Sequence, residues 1–237
     1  GVSGAIEFKN LTFAYDGRTA LREVSLSIPA GATVAIVGPT GSGKSTLAAM
    51  ISRLFDPPAG TCFLDGREIH EISLPSLRRA VGHVPQESFL FSRSIRENIA
   101  FGGDRSDAAT IRWAGSVAGI ADEVEAFSEQ WETVVGERGL TLSGGQRQRT
   151  TLARGLMADP KILILDDAFA SVDAAKEVEI LQGLRKLLAG RTTLVITHRL
   201  RAAREADWVV VLDEGRVVEQ GRHDELIALG GLYTRLW

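Results

Sequence analysis

The 237-residue sequence has a single cysteine, no polybasic block and no apolar run longer than a strand. Each absence excludes something. A lone Cys62 cannot close an internal disulfide, and it fits a reducing compartment. The 27 basic residues are outnumbered by 30 acidic ones, so charge gives no reason to expect nucleic acid as a partner. The longest apolar runs, such as TTLVIT and WVVVL, fall far short of the ~20 residues that a bilayer span needs. Internal repeats and low-complexity tracts are also missing. Residue 1 is glycine rather than methionine, and no signal peptide is expected from the opening residues. The opening Gly1-Val2-Ser3-Gly4 is expected to be a boundary within, or a processed end of, a longer polypeptide.

What is present is an ordinary globular balance, 44% hydrophobic and 24% charged. The length allows one large α/β domain or two small ones. Residues 5–34 read as short strands, with Asp16-Gly17 marking a turn and SLSIPAG ending in Pro-Ala-Gly. TVAIV, GHVP, KILILD and TTLVIT are short apolar runs of the kind buried in a parallel sheet. Helical stretches separate them: KSTLAAMISRLF, SGGQRQRTTLARGLMA and AAKEVEILQGLRKLLAG. That alternation predicts a parallel sheet covered on both faces. Residues 87–158 interrupt it with a mostly helical insertion. WVVVLDEGRVVEQG reads as a hairpin around Asp213-Glu214-Gly215, followed by the helical HDELIAL.

Three motifs carry chemistry. GPTGSGKS, Gly38 to Ser45, follows strand TVAIV and opens a helix, the context that a phosphate-binding loop requires. Gly41 and Gly43 let the backbone turn with its N–H groups inward, and Pro39, Thr40 and Ser42 complete the loop. The helix N-terminus, running on through Thr46, adds positive potential. Lys44 can reach the β- and γ-phosphates, and the Ser45 hydroxyl can ligate Mg²⁺. The alternative is a Gly-rich turn with a solvated lysine. ILILD then delivers Asp166 to the C-terminal end of a buried strand, where it can hold Mg²⁺ or merely cap a helix. Between the two lies LSGGQRQR, Leu142 to Arg149. There Ser143, ahead of two glycines and a long helix, makes an N-cap whose bare amides can also meet phosphate.

In that order, over essentially the whole chain, these motifs resemble the nucleotide-binding domain of ATP-binding cassette (ABC) transporters. The resemblance implies an α/β fold with a P-loop NTPase (RecA-like) parallel-sheet core. Residues 1–86 and 159–237 would form that ATP-binding core, with an N-terminal antiparallel β-subdomain. Residues 87–158 would form an inserted α-helical subdomain. It implies ATP and Mg²⁺ as cofactors and a head-to-tail dimer, in which Ser143, Gly144, Gly145 and Gln146 touch the partner's nucleotide. Tyr15 in LTFAYDG matches the aromatic that stacks on adenine, or is simply an edge-strand tyrosine. Gln86 in HVPQ matches the glutamine that senses Mg²⁺ and faces the membrane domain. Asp173 in SVD matches a residue that communicates across the dimer. His198 in VITHRL, ending a buried strand, matches the histidine that contacts the γ-phosphate. FSRSIRENIAFG (residues 91–102) and VVGERG (residues 134–139) look like exporter segments. The implied partners are a transmembrane domain on the same polypeptide and a second nucleotide-binding domain, at the cytoplasmic face of a cell membrane.

The residue after Asp166 departs from the pattern. Most catalytic members place Glu there to position or deprotonate the attacking water, whereas this chain has Asp167, followed by AFASVD in place of ATSALD. The shorter side chain withdraws its carboxylate by roughly 1.5 Å. A general base needs its acceptor within about 2.6–3.2 Å of its target, and a ~1 Å misplacement can cost on the order of a hundredfold in rate. ATP binding is expected to survive and hydrolysis at this chain's own loop to be slow, unless the backbone shifts to compensate. A weak base beside an intact LSGGQ resembles the degenerate-site half of a heterodimeric exporter, whose partner carries the Glu. A slow homodimer and a regulatory ATP-binding module stay open. A soluble DNA- or ribosome-associated ATPase fits poorly.

Overall fold

The structure, a computed structural model, describes residues 2–136, 140–187 and 189–236. It opens with an antiparallel hairpin, β1 (Ile6–Tyr15) against β2 (Arg18–Ile28). Asp16 and Gly17 join them with φ of 50° and 74°, the left-handed pair that a two-residue hairpin turn demands. Then come β3 (Thr33–Val37), α1 (Lys44–Ile51), β4 (Cys62–Leu64) and β5 (Arg67–Glu68). Strands β2-β1-β4-β5 make a four-stranded antiparallel sheet. Asp65, between β4 and β5, fastens the chain's beginning by accepting from the backbone N–H groups of Ser3, Gly4 and Ala5. After α2 (Leu74–Ala80), N-capped by Ser73, β6 (Val81–Val84) begins at once.

The chain then turns helical: α3 (Ile95–Ala100), α4 (Ala108–Val117), α5 (Ala121–Glu125) and α6 (Gly144–Met157). Strand and helix alternate again through β7 (Ile162–Asp166), α7 (Ala174–Leu187), β8 (Thr192–Ile196) and α8 (Leu200–Arg204). The hairpin β9 (Trp208–Asp213) and β10 (Arg216–Gly221) and the short helices α9 (His223–Leu229) and α10 (Leu232–Leu236) end the described chain. A six-stranded sheet runs β10-β9-β3-β8-β7-β6; β9, β3, β8 and β7 are mutually parallel, and β10 is antiparallel to β9.

Contacts divide the chain into two compact units. The first holds Gly1–His83, Lys161–Asp166 and Gly190–Trp237. Its central strands are covered on both faces, which explains their largely apolar sequence. Ile36, Ile164, Leu194 and Val210 join a core shared with α1 and the antiparallel sheet. Ala35, Val37, Val209 and Val211 join another with Ala203, Leu226 and Tyr233 from the C-terminal helices. Burying such side chains contributes roughly 1.5–3 kcal/mol each. The second unit holds Val84–Pro160 and Asp167–Ala189, with α6 packed against α3 and α4. Here Asn98, with no exposed surface, bonds the backbone of Phe91 in both directions and accepts from Arg154.

The fold class expected from the alternating pattern is the one observed. The helix after the phosphate loop is shorter than KSTLAAMISRLF predicted. It stops at Ile51, Arg53 turns to a φ of 49°, and the N–H groups of Leu54 and Phe55 both return to the Ala49 carbonyl. Among the described residues, no helix is long and apolar enough to cross a membrane.

Candidate nucleotide site

Strand β3 ends in a sharp turn that only glycine permits. A Cβ on Gly38, at φ 153°, would overlap the Leu212 carbonyl; one on Gly43, at φ 101°, would come 2.7 Å from the Ala20 carbonyl. Ser42 donates its N–H to the Pro39 carbonyl at 3.2 Å, closing the loop over Thr40 and Gly41. Gly43 stands at the N-cap of α1 with no side chain to offer, so the first-turn amides have no side-chain cap. Lys44 folds back into the loop. Its ammonium donates to the carbonyls of Gly38 (2.9 Å) and Pro39 (2.8 Å) and to Ser42 Oγ (3.3 Å), and the residue is 5% exposed. Thr46 is buried one position beyond Ser45.

Asp166, at the buried end of β7, comes to the same place. Ser45 Oγ donates to Asp166 Oδ1 at 2.9 Å. Cis ligands of an octahedral ion with bonds of about 2.0–2.1 Å lie ~3 Å apart, so this hydroxyl and carboxylate already have the spacing that Mg²⁺ takes. The donor set is hard oxygen and supplies only part of a coordination shell, which suits an ion completed by phosphate and water.

Tyr15 is the last residue of β1, 44% exposed, with its ring stacked on Phe55. His198, expected at the end of a buried strand, lies two residues past the end of β8 and is exposed.

Within the second unit, Gln86 and Asp167 meet. Gln86 Nε2 donates to Asp167 Oδ2 at 3.4 Å, a long and weak bond. Asp167 has φ 48°, a left-handed conformation that Asp and Asn tolerate better than longer residues. The LSGGQ segment starts α6 with a complete capping box: Ser143 Oγ accepts from Gln146 N–H at 3.2 Å, and Gln146 Oε1 accepts from Ser143 N–H at 2.9 Å. Gly144 and Gly145 are glycine because Ser171 lies against them. Added Cβ atoms would approach its side chain and carbonyl to 3.0 and 2.9 Å. The loop they touch runs into Asp173, which caps α7 by accepting from Lys176 N–H at 2.9 Å.

Two residues here had escaped the sequence reading. Glu123 Oε2 accepts from Gln146 Nε2 at 2.9 Å, while its Oε1 meets the buried Arg149 at 2.5 Å. The hydrogen bond from Arg149 is the largest effect on the Glu123 carboxyl and holds it below its ordinary range, against the opposing effect of burial. In VVGERG, Glu137, Arg138 and Gly139 lie outside the described residues.

The ABC transporter family model matches residues 21–170. The chain belongs to the ABC transporter family. It is 48% identical over 99% of its length to the ABC transporter ATP-binding protein YknV of Bacillus subtilis, covering 39% of that protein. It is 45% identical to the mitochondrial ATP-binding cassette sub-family B member 10 of Mus musculus, over 98% of this chain and 34% of the relative. It is also 45% identical to an ATP-dependent lipid A-core flippase of Syntrophus aciditrophicus, over 99% and 39%. Among solved structures, a bacterial Atm1-family ABC exporter with ATP bound superposes with a TM-score of 0.95 at 42% identity, over 99% of this chain and 41% of that one. The chain thus spans about two fifths or less of the relatives it matches, and within the family it is a nucleotide-binding domain.

Proposed function

We propose that this chain is the ATP-binding motor domain of a membrane exporter, acting at the cytoplasmic face beneath a transmembrane domain on the same polypeptide. The observation that carries the reading is the Ser45–Asp166 pair beside the Lys44 loop, an anion cradle at the β3–α1 junction with a hard-cation site where the end of β7 meets it. Lys44 would exchange its two carbonyl partners for the β- and γ-phosphates, and the amides of α1 would face the same oxygens. Ser45 and Asp166 would hold Mg²⁺, which neutralises phosphate charge and orients it for in-line attack. Tyr15 would stack on adenine.

Two copies, or this chain and a related one, would pack head to tail with ATP between them. Ser143 suits that role because its oxygen accepts from Gln146, and a serine hydroxyl that accepts one bond has an O–H with which to donate another, as to a γ-phosphate. Gly144, Gly145 and Gln146 would meet the same nucleotide, Asp173 would lie at the dimer seam, and His198 would contact the γ-phosphate.

Asp167 would serve as a weak base. It follows Asp166 directly, but its carboxylate is one methylene short, and its partner Gln86 holds it only loosely. The reading is therefore a degenerate half-site, paired with a different subunit that carries Glu. The test is steady-state turnover of Mg-ATP by this chain alone and mixed with such a subunit. Slow turnover alone and faster turnover in the mixture is expected. Fast turnover by the chain alone would remove the degenerate-site reading, and failure to bind Mg-ATP would remove the whole proposal.

A further inference from the structure

Tyr15 is poorly held by its own strand. It ends β1 beside the Asp16-Gly17 turn, at the free tip of a hairpin, and it is 44% exposed. Its ring is nonetheless fixed from elsewhere. The Phe55 ring lies parallel to it, with centroids 5.5 Å apart and planes 13° from coincidence, the offset-stacked arrangement that aromatic quadrupoles favour. Phe13, two residues earlier on the same face of β1, tilts against both rings at 6.0 and 5.7 Å.

Phe55 is in turn anchored to the phosphate loop's own helix. The N–H groups of Leu54 and Phe55 fold back on the Ala49 carbonyl at 3.0 and 3.4 Å, and Arg53 Nε donates to Asp56 at 2.9 Å. The helix that begins with Lys44 therefore ends by placing the ring that backs Tyr15.

We propose that Phe55 is a positioning residue for the base site: it covers one face of Tyr15 and leaves the ring's exposed part in a single orientation for adenine. This rests on the reading of Tyr15 as the adenine-stacking residue. A ring already immobilised loses less rotamer freedom when a base stacks on it, and that freedom is worth roughly 2- to 10-fold in affinity for one side chain. Lys44 opens α1 and Phe55 lies in the turn that folds back on its Ala49 carbonyl, so phosphate grip and base grip are tied to the two ends of one short helix.

Calorimetric titration with Mg-ATP and with Mg-bound inorganic triphosphate separates base from phosphate recognition. Phe55→Ala should weaken ATP binding roughly 2- to 10-fold and leave triphosphate binding unchanged. Phe55→Tyr should restore the affinity. In a Tyr15→Ala background, Phe55→Ala should add no further loss. Equal weakening of both ligands would mean general damage to α1 and overturn the proposal, as would unchanged ATP affinity. Tighter ATP binding would also overturn it, since Phe55 would then compete with the base for Tyr15. If Tyr15→Ala itself leaves ATP affinity unchanged, the parent reading of Tyr15 fails. If Tyr15→Ala weakens binding and Phe55→Ala does not, only the role of Phe55 fails.

Discussion

Two helices in this chain begin at glycine-rich sequence, and they are finished in opposite ways. At α1 the N-cap is Gly43, in a left-handed conformation with no side chain to give, and Lys44 turns back onto the loop's own carbonyls. At α6 the N-cap is Ser143, and it trades two hydrogen bonds with Gln146, whose amide is held in turn by Glu123. The first terminus receives no cap from its own N-cap residue, and the carboxylate that reaches it, Asp166, comes from β7. The second is closed by its own capping box, in which Ser143 Oγ serves as the acceptor. Under the proposed function the contrast has a use: the terminus that would seize a nucleotide is left open, whereas the one that would meet a nucleotide held by a partner is tied down by its own side chains.

The largest expected effect tests the unfinished end. Lys44→Ala removes the cation that the loop is built around, and Mg-ATP affinity should fall by about a hundredfold or more, in line with a charge-assisted contact to phosphate lost from a buried setting. Calorimetric titration checks it. Near-normal affinity would mean that α1 is not the end that captures nucleotide, and the contrast with α6 would collapse.

Asp167→Glu comes next. Lengthening the carboxylate should raise turnover by up to about a hundredfold at saturating Mg-ATP, with ATP affinity nearly unchanged. The left-handed φ of 48° at this position favours Asp, so the variant should also lose stability by up to about 1 kcal/mol. Turnover should be measured at concentrations that populate a dimer. An unchanged rate would show that Asp167 is already an adequate base or is not the limiting fault.

How much of this was legible in the sequence follows the same divide. The phosphate loop, β7 and Asp166 could be read because their chemistry is local: a strand, a glycine turn and a helix contiguous in the chain. The parallel sheet could be read because its strands, buried on both faces, are mostly apolar runs in which polar residues stand at the ends rather than alternating. The short strands β4 and β5 gave no periodicity to detect. Helix α2 was hidden because its signal is a Ser73 cap and two buried residues, Leu77 and Ala80. Glu123 and Phe55 could not be found at all. Each matters through a partner distant in sequence, Glu123 through Gln146 and Arg149, Phe55 through Tyr15, and nothing in ADEVE or RLFDPP announces those contacts.

Ser143→Ala tests the finished end. It removes one half of the capping box and should destabilise the chain by about 1 kcal/mol. Binding of Mg-ATP to the chain's own loop should be unaffected, because that loop belongs to the other helix. ATP-dependent self-association, followed by analytical ultracentrifugation, should weaken if Ser143 meets a partner's nucleotide. A fall in the chain's own ATP affinity would contradict the division of labour between the two helices.

The smallest effect belongs to Glu123, which keeps the capping box rigid from outside. Glu123→Gln retains one oxygen and loses the charge, so Arg149 and Gln146 can no longer both be satisfied. The side chain is 41% exposed, which screens the pair and limits the loss to the range of surface interactions, below about 1 kcal/mol. For a chain of this length that is a drop in Tm of ~2–4 °C at most near neutral pH. Acid should erase the difference, and the sign follows from the direction of the shift. Because the folded-state carboxyl lies below its ordinary value of 4.5, its contribution is present above that pH and lost as pH falls through the lower folded value. The variant cannot titrate there, so the parent's advantage should shrink as the pH is taken below about 4.5. Thermal melts of both proteins across that range decide it. A gap that stays constant into acid would mean that Glu123 holds α6 by packing rather than by charge, and the rigidity of the signature terminus would then need another source.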